Sequence, residues 1–135
     1  MPAIMADHDV EGDSDIVLRT LTSGEWRELW NELNYGVESF RSLRISDNTS
    51  DVDLWRLCRE RQIILITGNR NRVGPNSLQY AIEQFNTPAC LPVFTIGVPG
   101  RAIRSQDYLH RIVARLLEYL IDVESFRGTG RLYLP

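Results

Sequence analysis

Residues 62–67, Gln-Ile-Ile-Leu-Ile-Thr, hold a continuous β-branched core with no polar face. A half-exposed strand alternates apolar and polar residues, so a strand apolar on both sides belongs inside a sheet covered on both faces. Three further runs are compatible with strands: Ala3–Ala6, Gly36–Phe40, and Leu91–Ile96 between Pro88 and Gly97. Helical patterns fill the intervals, at Asp15–Leu21, Glu25–Leu33, Asp51–Arg61 and Asn76–Phe85. After the fourth strand, Gln106–Val123 carries Leu109, Ile112, Val113, Leu116, Leu117, Leu120 and Ile121 on one stripe. Ser50 before Asp51, with Asp53 three positions on, resembles a capping box. Strands alternating with helices predict an α/β fold: a three-layer α/β/α sandwich around a short, mostly parallel sheet.

The chain has 135 residues without internal repeats, which predicts a single domain over 1–135. At that length a core forms without disulfides or structural metals. Cys58 and Cys90 make no CxxC pair and sit in apolar surroundings, as in a reduced, intracellular protein. No signal-peptide pattern and no membrane-spanning run is present, so the expected location is cytoplasmic. All fifteen basic residues are Arg, and the absence of Lys excludes P-loop lysines, Schiff bases and Ser–Lys dyads. A net charge of −3 does not mark a nucleic-acid binder in bulk; a basic groove would need its arginines gathered on one face. The tail, Arg127 to Pro135, has two turn glycines and an apolar end that predict a return onto the body.

In open parallel sheets ligands bind beyond the carboxyl ends of the strands. Asp7 closes the first strand, and Thr67-Gly68-Asn69-Arg70-Asn71-Arg72 follows the strongest one. If these two strands are neighbours, Asp7 and Asn69 face one crevice that Asp51 reaches from its helix start. Clustered carboxylates call for a proton or a cation, and hard oxygen ligands suit Mg²⁺ or Mn²⁺. Other acids have simpler uses: Asp9, Glu11, Asp13 and Asp15 read as a solvated loop favouring the next helix dipole, and Asp53 as a capping residue. Asn69 and Asn71 suit turn positions as well as a polar site. His8 beside one acid is a weak metal signal, His110 lies at the edge of an apolar stripe, and Cys58 and the three tryptophans read as core. Arg70 and Arg72 are candidate phosphate contacts.

Asp7 at a strand end, Ser50-Asp51-Val52-Asp53-Leu54-Trp55 opening a helix, and Ile64-Leu65-Ile66-Thr67-Gly68-Asn69-Arg70-Asn71 together resemble the PIN-like domain family. More narrowly, they resemble its compact bacterial branch related to VapC-type toxins. The resemblance spans the first two-thirds of the chain. It implies a Mg²⁺- or Mn²⁺-dependent ribonuclease site in which acids hold the ion that activates water. Asp7 and Asp51 match the family's acids, while Asn69 and Asn71 stand where catalytic members carry aspartates. An amide oxygen brings no charge, which weakens a metal site. Two readings follow: a nuclease using Asp7, Asp51, Asn69 and Asn71, with Asp9 or Asp53 recruited, or a non-catalytic PIN-like interaction module. The resemblance also implies RNA, an antitoxin-like protein or a second copy as partners, and Leu132-Tyr133-Leu134 could pack across a dimer boundary. A receiver-domain reading fails, because its phospho-accepting aspartate would be Asn69 and its lysine does not exist here.

Overall fold

A computed structural model describes residues 2–8, 12–68, 77–98 and 100–135. Its centre is a five-stranded, all-parallel sheet ordered β2-β1-β3-β4-β5. The strands are β1 (Ala3–Ala6), β2 (Gly36–Val37), β3 (Ile63–Thr67), β4 (Val93–Ile96) and β5 (Arg131–Leu134). Every residue of β3 is buried, as its unbroken apolar run requires.

Alternation along the strands divides the core in two. Ile4, Ile64, Ile66, Phe94, Ile96 and Leu134 face one layer, formed by α1 (Asp13–Leu21), α2 (Arg27–Leu33), α6 (Arg101–Arg104) and α7 (Gln106–Ile121). Met5, Ile63, Leu65 and Val93 face the other, formed by α3 (Phe40–Leu43), α4 (Asp51–Arg61) and α5 (Leu78–Phe85). The expected three-layer sandwich is therefore present. Trp30, Trp55 and Cys58 are core residues, and Cys58 Sγ lies 3.8 Å from Met5 Sδ. Burial raises its thiol to about 12, so it is a packing group rather than a nucleophile.

Several boundaries differ from the expected ones. The second strand stops at Val37, because Ser39 and Ser42 form a reciprocal capping box that starts α3 at Phe40. Gln62 takes a left-handed conformation (φ 56°) as the C-cap of α4, which moves the start of β3 to Ile63. A 3-10 turn over Gly24–Trp26 precedes α2, and α7 ends at Ile121 before a second one over Val123–Phe126. The tail returns onto the body as expected, and it does so as a strand. Arg131–Leu134 pairs along β4 within the same chain, with Leu134 buried and Arg131 Nη1 donating to Thr95 Oγ1 at 2.8 Å. Leu132-Tyr133-Leu134 belongs to the edge strand of the chain's own sheet.

The crossovers are not uniform. From β1 to β2 the chain steps one way over the α1–α2 face. From β2 to β3 and on to β4 it steps the opposite way over the α4–α5 face, so these three connections share one hand. The fourth continues in the same direction but returns through α6 and α7 to the α1 face, giving it the opposite hand to the rest. Burial accounts for this exception to the usual uniformity. Without α7 on that side, Phe94, Ile96 and Leu134 would lose their cover.

Candidate functional site

The order 2-1-3-4-5 is that of flavodoxin-like doubly wound sheets, whose switch point lies between β1 and β3. Asp7 and Thr67 meet there. The Asp7 N–H extends the ladder to Ile66 O at 2.8 Å, and Thr67 Oγ1 donates to Asp7 Oδ2 at 3.0 Å. The hydroxyl holds one carboxylate oxygen and thereby orients the other.

Asp51 reaches the same crevice from the first turn of α4, where the helix dipole favours a carboxylate. The helix starts there because Ser50 Oγ accepts the Asp53 N–H at 3.2 Å. Asp53 is exposed, and its backbone serves the cap, in keeping with a capping role. Burial lifts the Asp7 carboxyl to about 6. The Thr67 hydrogen bond opposes that rise, while the charge of Asp51 adds to it.

His8 and Asp47 form the outer wall. His8 Nε2 lies 3.0 Å from Asp47 Oδ1, and its ring stacks on Phe40 with centroids 4.2 Å apart. In the sequence His8 is a weak metal signal with no local link to Asp47. The two are 39 positions apart and meet only because β2 and α3 fold beside β1. Asp13 also departs from expectation. It is 1% exposed rather than solvated, and its Oδ2 accepts the Gly100 N–H at 2.5 Å, tying the start of α1 to the loop after β4.

Asp9, Asn69, Asn71, Arg70 and Arg72 lie outside the described residues. Among the described residues no group of three or more His, Cys, Asp and Glu is placed to hold a metal ion. Asp7 and Asp51 are thus the described donor pair, and two carboxylates with retained waters are within the ordinary donor range of Mg²⁺. A cavity of about 390 Å³ lined by Leu33, Tyr35, Leu120 and Val123 lies at the opposite, amino end of the sheet. It takes no part in this site. Among the described residues no helix is long and apolar enough to cross a membrane.

No family model, curated protein or solved structure matches the chain. The chemistry of the crevice therefore carries the functional reading by itself.

Proposed function

We propose that the protein is a divalent-metal-dependent phosphodiesterase acting on RNA, with its reacting centre at Asp7 and Asp51. The observation that carries this reading is a desolvated Asp7 fixed by Thr67 at the β1/β3 switch point, with Asp51 near enough for its charge to raise the Asp7 carboxyl further. Two acids so placed repel each other, and the folded chain keeps them together although α4 could begin with a neutral residue.

Asp7 and Asp51 would hold Mg²⁺ or Mn²⁺. When bound, the ion supplies Lewis acidity and a water acidic enough to attack phosphorus near neutral pH. Thr67 keeps the Asp7 carboxylate aimed into the crevice, so the site needs little reorganisation on binding. Asn69 and Asn71 fit the same reading as neutral oxygen donors and Arg70 and Arg72 as phosphate contacts.

Hydrolysis of a labelled single-stranded RNA tests the reading. Cleavage should require Mg²⁺ or Mn²⁺, stop with chelator, and fall at least about a hundredfold in Asp7→Asn and in Asp51→Asn. Cleavage that survives Asp7→Asn, or that is missing from the wild type with either ion, overturns it.

A further inference from the structure

Charge is divided along the carboxyl edge of the sheet. Acids follow β1 and β2, at Asp7, Asp47 and Asp51, whereas arginines follow β4, at Arg101 and Arg104, with Arg111 on the next helix. All three arginines are exposed. The ion pairs among the described residues are His8–Asp47, His110–Glu25, Arg115–Glu118 and Arg127–Glu124; none includes these arginines, although Asp107 stands three positions after Arg104 and the buried Asp13 bonds Gly100 beside them. Exposed arginines gathered in one place raise the local positive potential and attract anions.

The cluster is held in place rather than splayed at random. Arg101 Cζ stands 4.5 Å from the centroid of the buried Tyr108 ring and Arg111 Cζ stands 5.7 Å from the same centroid. One aromatic ring thus steadies two guanidinium groups. The guanidinium of Arg104 folds over Gly100, where a Cβ would come within 2.7 Å of its Nη1. The Asp13–Gly100 hydrogen bond then anchors this turn to the start of α1. Ile103 Cδ1 comes within 3.7 Å of where a Gly12 Cβ would lie, which sets α6 against the segment that follows Asp7. The arginines therefore stand at the carboxyl end of the sheet on the α1 face, across the sheet from α4.

We infer that Arg101, Arg104 and Arg111 form a binding track for the phosphodiester backbone of a single-stranded RNA, whose scissile phosphate lies at the Asp7–Asp51 crevice. Guanidinium forks suit phosphate oxygens, and a strand crossing the carboxyl end of the sheet from the α1 face would reach the acids after leaving the arginines. This rests on the reading of RNA as substrate and adds where the strand runs.

The test is fluorescence anisotropy of a labelled mixed-sequence RNA in chelator, where no metal-dependent cleavage competes. Arg101→Gln/Arg104→Gln keeps most of the side-chain bulk and removes two charges; thermal unfolding checks that it folds, and Arg111→Gln provides a second variant at a helix surface. Binding should weaken about tenfold or more in the double variant and less in Arg111→Gln. The salt dependence should also flatten, by about 1.4 in slope for two lost phosphate contacts on a single strand. Asp7→Asn should bind at least as well as wild type. Unchanged affinity and slope in both arginine variants overturns the inference, as does the wild type failing to bind. A polyglutamate probe bound in place of RNA, and lost in the same variants, overturns it by making the cluster a site for an acidic protein. RNA binding that depends on these arginines without any cleavage would remove the phosphodiesterase reading and leave the track standing.

Discussion

At pH 7 the Asp7 carboxyl is ionised in a half-buried crevice, although burial lifts its proton affinity to about 6 from an ordinary 3.8. The folded chain holds that proton more tightly than the unfolded chain does. Asp7 therefore adds stability below about pH 4, and the contribution is lost as pH rises through 6. Asp7→Asn removes the ionisation while its amide oxygen can still accept the Thr67 hydroxyl. The variant should melt several degrees above wild type at pH 7 to 8, on the order of 2 kcal/mol after allowance for partial exposure. The gap should close near pH 4. Paired thermal melts across this range measure it, and equal melting at pH 7 would show that the crevice does not desolvate Asp7. An acid that costs stability at neutral pH fits a site kept for chemistry better than one kept for folding.

At the scale of elements, legibility followed local signals. The strand Ala3–Ala6 and the helix Asp51–Arg61 were readable to the residue, because each has a distinct boundary: Asp7 closes the first and Ser50 caps the second. Shorter elements were not. The helices Phe40–Leu43 and Arg101–Arg104 span about one turn, too few positions to display a period. The strand Arg131–Leu134 does alternate, with Leu132 and Leu134 toward the core cluster. Four residues after two glycines nevertheless resemble a loop end as much as a strand. The site was legible in part for the same reason. Asp7 and Asp51 stand at element boundaries, whereas the His8–Asp47 pair and the Asp13–Gly100 tie join residues 39 and 87 positions apart that no local pattern connects. Ser50 gives this scale its test. Ser50→Ala removes the acceptor for the Asp53 N–H and should cost about 1 kcal/mol in urea unfolding, with the denaturant slope unchanged. No loss of stability would mean that the first turn of α4, and with it the position of Asp51, is fixed by packing alone.

Across the whole molecule the tail decides how the sheet ends. The last crossover reverses hand so that α7 can cover Phe94 and Ile96, and this leaves β4 to be closed by the final strand. Closure uses backbone and side chains together. Val93 N–H donates to Gly130 O at 2.8 Å, Gly97 N–H donates to Leu134 O at 3.2 Å, and Leu134 is 1% exposed. Arg131 bridges across that edge to Gln79 Oε1 on α5 at 3.0 Å and to Thr95. Removing residues 131–135 would expose β4, uncover the α7 face of the core and strip Thr95 of this partner. The expected result is loss of the cooperative thermal transition. Leu134→Ala is the milder probe, and should destabilise the chain by about 2–4 kcal/mol. A tail used for assembly would behave differently: its removal would leave a folded monomer with nearly the original melting temperature and change only the sedimentation behaviour. Thermal melts and sedimentation of both variants separate the two. Retained folding after truncation would return the tail to the role of an intermolecular arm.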